Sequence, residues 1–390
     1  METSMVTAWL LLLSTTSCTS WVLPYKLYSS DCMWKPYAAG QRSTYDCNGC
    51  NELMFSACRG NETAVKQLLS DPTLNINAQN DHGLTALILA AANSNNEIIK
   101  HLLERDDINI DTSSGYYSTN EPEGTAFFWA AVNGNERGVE MFLPRSNINE
   151  QTINQYDEDA NVTILMAAVR SGNVNLVRFL LENGAATNLV DGSEQTALII
   201  AAKGNNKKIV ELLVPVSDAK ATTRDGYTAL MAASNGGNEE IFKLLLPLSH
   251  AKATTEDGKT ALMEAAKGGN EEIVKFLLPA SDAKAINNYG YTALMGAVKS
   301  GNQEIVKLLL PVSDVNATDN DKKTVLTVII DRPINNKATP GYGCSDCTCE
   351  QSKIVQLLLA HPNIIVTDLD IQNVESSGCD NIVQLFKQLN

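Results

Sequence analysis

Apolar and polar positions run along this chain with two nested periods. The shorter is helical: Ile273, Val274, Leu277 and Leu278 fall on one stripe. The same positions hold Ile241, Phe242, Leu245 and Leu246 one repeat earlier, and Ile305, Val306, Leu309 and Leu310 one repeat later. Ahead of each stripe stands a second apolar segment built on small residues, such as Ala261-Leu262-Met263-Glu264-Ala265-Ala266. Each period therefore predicts two short helices. The turn Gly268-Gly269-Asn270 ends the first, and Pro279 stops the second because a proline cannot continue a helix without a clash and a lost hydrogen bond. The wider period is anchored on threonine. Thr196, Thr228, Thr260, Thr292 and Thr324 lie 32 residues apart, and Thr163, Thr125, Thr85 and a degenerate Asn51 continue the series upstream at gaps of 33, 38, 40 and 34. A truncated tenth unit closes the chain at Gly378-Cys-Asp-Asn-Ile-Val-Gln-Leu-Phe. A period of this length marks stacked repeats.

Each repeat has a physical logic of its own. Asp257-Gly258 before Thr260 makes a tight turn, and the threonine hydroxyl caps the helix that follows. Glu271-Glu272 places negative charge at the start of the second helix, which suits the helix dipole. About ten polar residues then return to the next Asp-Gly. A helix pair this short cannot bury its own stripe, so neighbours must stack.

The pattern D-G-x-T-A-L-x-x-A-x-x-G-N-x-x-I-V-x-L-L resembles the ankyrin repeat. Ala stands after the threonine where the family usually has Pro, and Met, Ile or Phe stands where it often has His. Leu-Leu-Pro-x-Ser-Asp replaces the family's Leu-Leu-x-x-Gly-Ala, except at Leu180-Leu181-Glu182-Asn183-Gly184-Ala185. The resemblance implies an all-α, ankyrin-type solenoid of about ten helix-turn-helix repeats with finger loops, and a protein partner bound on the concave face and fingers. The missing His removes an inter-repeat hydrogen bond common in the family, which bears on stability more than on fold. On this frame residues 1–20 are expected to be a signal peptide and 21–49 a cysteine-containing N-terminal cap. Residues 50–333 carry the ankyrin repeats, 334–352 a Cys-rich loop insert, and 353–390 the C-terminal repeats and cap.

The ends carry the unusual chemistry. Met5 to Leu13 is apolar and Ser14 to Ser20 small and polar, the order of a secretory signal, although the leading METS has no basic residue. If that segment is not a signal, the chain is expected in the cytoplasm. No stretch reaches the ~20 apolar residues a membrane span needs. Of nine cysteines, none falls between Arg59 and Gly343. Cys32, Cys47, Cys50 and Cys58 sit at one end of the repeats, and Cys344, Cys347, Cys349 and Cys379 at the other, where a repeat lacks a neighbour. An oxidising compartment would bridge each four, with three connectivities open to each. Zinc is the rival, because Cys47-x-x-Cys50 and Cys344-x-x-Cys347 have ligand spacing. Sequons at Asn61 and Asn316 are expected on exposed segments, and a third at Asn161 is poorer because it overlaps the capping Thr163. Two further inserts, from Asp106 to Gly124 and from Ser146 to Val162, lengthen fingers, the second with the acidic tip Tyr156-Asp157-Glu158-Asp159.

Composition excludes some functions. With 44% hydrophobic and 19% charged residues the chain is expected to pack rather than stay disordered. Thirty basic against 45 acidic residues give a net charge of −15, which argues against binding nucleic acid through its phosphates. His82, His101, His250 and His361 occupy unrelated repeat positions, and no nucleophile elbow or phosphate-cradling loop occurs. No enzyme activity, metal or cofactor is expected. The binding candidates form a basic, tyrosine-bearing stripe. In the fingers these are Arg224, Tyr227, Lys259, Tyr289 and Tyr291, with Lys323 at the same position. Seven residues after the cap they are Arg170, Lys203, Lys267 and Lys299, with Asn235 in register. Trp129 is either an exposed anchor or a side chain packed beneath the insert before it. The function expected is a secreted protein-binding scaffold for an acidic or mixed-charge surface. The alternative is an exported effector or toxin-like factor acting on another organism's cells. Partner identity and oligomeric state are not legible in the sequence.

Overall fold

A computed structural model describes residues 49–114, 124–147, 151–152, 161–330, 349–376 and 380–387. The expected signal segment, Cys32, Cys47, the acidic tip, and Cys344, Cys347 and Cys379 lie outside the described residues. The chain divides into two units, one ending at Asp218 and the other beginning at Ala219.

In the first unit the helices pair as α1 Glu52–Arg59 with α2 Glu62–Leu69, and α3 Ala86–Ala92 with α4 Asn96–Leu103. Next come α5 Ala126–Val132 with α6 Glu136–Phe142, α7 Ile164–Ser171 with α8 Val174–Glu182, and α9 Ala197–Lys203 with α10 Lys207–Leu213. Between α6 and α7 a short antiparallel pair joins β1 Gln151–Thr152 to β2 Val162–Thr163. The second unit continues with α11 Ala229–Gly236 and α12 Glu239–Leu245, α13 Ala261–Gly268 and α14 Glu271–Leu277, and α15 Ala293–Ser300 and α16 Gln303–Leu309. It ends with α17 Val325–Ile330 and α18 Cys349–Leu359, then α19 Asp368–Ser376 and α20 Asp380–Lys387. Within each unit every first helix packs on the first helix of the next repeat. The first helices are buried along most of their length, except α19, which buries only Asp370 and Val374. The second helices bury one stripe, Ile273, Val274 and Leu277 in α14.

The threonine period is a capping period. Each hydroxyl accepts from the backbone N–H three residues on, at 3.1 Å for Thr228, 3.2 Å for Thr260 and 3.2 Å for Thr292. Asn51 does the same at 2.9 Å with its side-chain oxygen, so the degenerate anchor is a working cap. The fingers are turned by the residue five before the cap. Asn287 accepts from Tyr289 N at 3.0 Å and Tyr291 N at 2.8 Å, and Asp191 from Ser193 N at 3.1 Å and Gln195 N at 2.8 Å. In the second unit the fingers also bond to one another, Glu256 N to Asp225 O at 2.7 Å and Asn288 N to Asp257 O at 2.8 Å. Gly290 sits at such a crossing with φ +76°. A Cβ there would fall 2.6 Å from Asp319 Cα, so only glycine fits.

The inter-repeat hydrogen bond lost with the missing His is replaced from another position. In several repeats the asparagine that opens the second helix donates its amide to a carbonyl at the end of the first helix of the preceding repeat, although Asn135 turns instead to the Asn96 side chain. Asn95 Nδ2 reaches Ala57 O at 2.7 Å, Asn173 reaches Gly134 O at 2.7 Å, Asn270 reaches Ser234 O at 2.6 Å, and Asn302 reaches Gly269 O at 3.1 Å. At two of the four Pro-x-Ser repeats from Pro215 to Pro311 the serine makes a second tie, whereas the Ser217 and Ser281 hydroxyls are buried without a hydrogen-bond partner among the described residues. Ser249 Oγ donates to Ala219 O at 3.1 Å and Ser313 Oγ to Ala283 O at 3.4 Å, which gives the departure from Gly-Ala a structural use. At the C-terminal end Asp370 is fully buried and accepts from the hydroxyls of Thr324 and Thr327, and from the N–H and hydroxyl of Thr367 at 2.9 and 2.6 Å. Of these four donors, the two from Thr324 and Thr327 fasten the last helix pair to the repeat before it.

Asn302 both caps α16, accepting from Ile305 N at 3.2 Å, and donates across to Gly269 O. Asn302→Ala removes a cap and orphans a carbonyl, and is expected to cost about 2 kcal/mol. Urea unfolding followed by circular dichroism should show the lower midpoint.

Candidate functional site

Each first helix of the repeat offers its last turn, and each finger its tip, to one face of its unit. In the first unit that face is occupied unevenly. Arg170, at the end of α7, places Nη2 3.1 Å from Asp191 Oδ2, and the Asp191 side chain is wholly buried in the finger turn it also holds. Arg170 is thus part of the scaffold. Lys203, at the equivalent point of α9, is exposed and holds no ion pair among the described residues. Trp129 is 2% exposed. Its indole Nε1 donates to Ser114 Oγ at 3.5 Å, and its ring meets Phe128 edge-on at 6.1 Å. It is therefore no exposed anchor: four residues after the cap, a large ring fills the space under the start of the insert.

In the second unit Arg224 is exposed in its finger, and Tyr289 is 59% exposed at a finger tip. Tyr227 and Tyr291 are half-buried and already engaged. The Tyr227 hydroxyl lies 3.4 Å from Glu264 Oε2, and the Tyr291 hydroxyl donates to Met295 O at 3.2 Å. Lys259 is clamped to Asp257 at 2.7 Å. That bond holds the Asp257 carboxyl below its ordinary range and raises the Lys259 ammonium. Lys267 lies 3.9 Å from Glu264, and Lys299 is exposed without an ion pair among the described residues. Asn235, in register with them, donates its amide to Glu264 Oε2. Of the cations expected in the stripe, Arg170 and Lys259 are therefore clamped by the chain's own carboxylates, whereas Lys203 and Lys299 are not.

Glu264 escaped the sequence reading. It is 4% exposed on α13, yet it gathers Tyr227 and Asn235 from the preceding repeat and Lys267 from its own helix. The signal was available. Four residues after the cap, the repeats hold Leu89, Trp129, Ala167, Ile200, Ala232, Gly296 and Val328, and only this one holds a charge.

Of the sequons, Asn61 is exposed and caps α2 through Ala64 N at 3.1 Å. Asn316 departs from its expected exposure. Its amide donates to Asn363 O at 2.7 Å and its oxygen accepts from Ile365 N at 2.9 Å, so both ends hold the next repeat. Asn77 does the same in the first unit, with Asp107 O and Asn109 N, each at 2.7 Å. Thr163, which the third sequon needs, is buried as a cap. Cys50 and Cys58 are disulfide-bonded, and Asn80 and Asn93 direct amides at their sulfurs from 3.4 and 3.5 Å. Among the described residues no group of three or more His, Cys, Asp or Glu side chains could hold a metal ion, and no helix is long and apolar enough to cross a membrane.

A family model for ankyrin repeats, in three copies, matches residues 29–114, 53–159, 113–191, 165–254 and 232–321. The chain belongs to the ankyrin repeat family, whose repeats are generally protein–protein interaction modules and whose members are typically non-enzymatic scaffolds. No curated protein matches the chain.

Burial pushes the Tyr291 phenol up to about 12, with the charge of Asp319 adding to the effect. The folded-state value lies above the ordinary tyrosine value of 10.0, so this stabilisation is complete below pH 10 and is lost as pH rises towards 12. Tyr291→Phe should remove one late-ionising phenol from an ultraviolet absorbance titration. It should also soften the loss of stability across that window.

Proposed function

We propose that this chain is an exported scaffold that binds a protein partner of mixed charge through the first-helix face and fingers of its ankyrin repeats. The observation that carries the reading is the separation of roles within each unit. Arg170, Lys259 and Tyr291 are used internally, whereas Tyr289, Lys203 and Lys299 stand out without an internal task. Exposed tyrosine and basic side chains on a rigid frame are what interfaces draw their energy from. Lys203→Glu and Lys299→Glu, made singly, should each lower recovery of the captured partner about fivefold or more, read by quantitative mass spectrometry of pull-downs. Unchanged recovery for both rejects the stripe.

Export is supported by the apolar segment from Met5 to Leu13, by cysteines confined to the two ends, by the disulfide-bonded Cys50 and Cys58, and by the exposed sequon at Asn61. In this reading Cys32, Cys47, Cys50 and Cys58 staple the first repeat, and Cys344, Cys347, Cys349 and Cys379 the last. Each bridge contributes about 2–4 kcal/mol where stacking is one-sided. Protein recovered from a secreting host should begin near residue 20, and these eight cysteines should be unreactive to a thiol reagent without reductant. Full reactivity, or an intact Met1, rejects export with stapled caps.

A further inference from the structure

We propose that Asn61 carries an N-linked glycan, as the one sequon of three whose amide nitrogen the fold leaves available, an assignment that rests on the export reading above. In later repeats the same position is a tie between neighbours. The side-chain nitrogens of Asn95, Asn173, Asn270 and Asn302 each cross to a carbonyl of the preceding repeat. Asn61 is the counterpart of Asn95 one repeat earlier, and among the described residues no helix pair precedes α1 for its amide to reach. Its oxygen is in use, accepting from Ala64 N at 3.1 Å as the cap of α2. Its nitrogen has no hydrogen bond among the described residues, and the side chain is exposed. The oxygen and nitrogen of a planar amide point apart, so the cap holds the nitrogen away from the helix end and a sugar on it spares the cap. Thr63, whose hydroxyl completes the sequon, is exposed as well.

The other two sequons fail on geometry. Asn316 Nδ2 lies 2.7 Å from Asn363 O, so a sugar on it would stand where residues 363–365 pack. At Asn161 the required hydroxyl belongs to Thr163, which is 2% exposed in β2 and accepts from Met166 N at 3.2 Å. Asn161 itself sits at φ +65°, in the left-handed region. The group transferred to Asn61 comes from an oligosaccharide held on a lipid pyrophosphate. The bond from Nδ2 to the first sugar carbon forms as that carbon's bond to the pyrophosphate oxygen breaks. The amide gives a proton to the transferring enzyme, and the lipid pyrophosphate leaves. The product is bulky and strongly hydrated. At Asn61 it lies at the end of the stack, where no earlier repeat is packed among the described residues and a polar outer surface is needed.

The test produces the full chain with its own leader in a eukaryotic secreting host. The secreted protein should show a single step of extra mass on a gel. An amidase that releases N-glycans should remove that step and leave aspartate in place of Asn61 in the peptide mass spectrum. Asn61→Gln and Thr63→Ala should each abolish the step, Thr63→Ser should keep it, and Asn316→Gln should leave it unchanged. Asn61→Gln also disturbs the cap of α2, so Thr63→Ala, which spares the cap, carries the test where the Asn61→Gln chain is poorly recovered. A chain secreted without the step, or a step that survives Thr63→Ala, overturns the glycan site and leaves export standing. A chain kept in the cells with Met1 intact removes both, because it never meets the transferring enzyme.

Discussion

The carbonyls that end each first helix have no partner inside their own helix, and they lie where two repeats meet. An asparagine amide from the next repeat supplies the missing donor, as Asn173 does for Gly134 and Asn302 for Gly269. Apolar stacking alone would tolerate sliding, because Ala, Leu and Met surfaces are smooth and the hydrophobic effect has no direction. A buried carbonyl tolerates no slip without losing its partner. These directional contacts set the register within each unit. Serine–carbonyl ties and the Asn77 and Asn316 clamps repeat the constraint at the other end of the repeat.

Fixed register turns single residues into local chemistry. The position four after the cap always faces the same place, so what it holds decides what that place is. Trp129 fills it and takes Ser114 as a hydrogen-bond partner. Ala232 is buried there, Gly296 lets α15 lie close against α13, and Glu264 charges it. The position seven after the cap behaves likewise. Arg170 folds onto Asp191, while Lys203 and Lys299 hold no ion pair among the described residues and extend to solvent, Lys299 even though Asp319 stands at the position of Asp191. A repeat fold of this kind varies its surface without touching its stack.

The parts of the structure that repeat were legible in the sequence. Thr260 and Thr292 announced caps, Pro279 a stop and Ile273-Val274 a buried stripe, and each is where the period put it. What escaped depended on contacts between repeats, which periodicity cannot resolve. Lys267 and Arg170 look alike at one register, and only the neighbouring Glu264 and Asp191 separate them. Asn316 looked like a surface sequon because nothing in Asn-Ala-Thr reveals the backbone of residues 363–365 lying against it. Asp370 gave no signal, since its four donors come from three threonines, two of them more than forty residues away.

The pairing of charges also limits what each lysine can offer a partner. A row of lysines on an acidic protein invites an acidic partner, but exposed lysines in water contribute little each and are screened by salt. Where a lysine is already clamped, as Lys259 is, a partner's carboxylate must displace an existing bond and gains only the difference. The number of charges on the face therefore matters less than their residual valence.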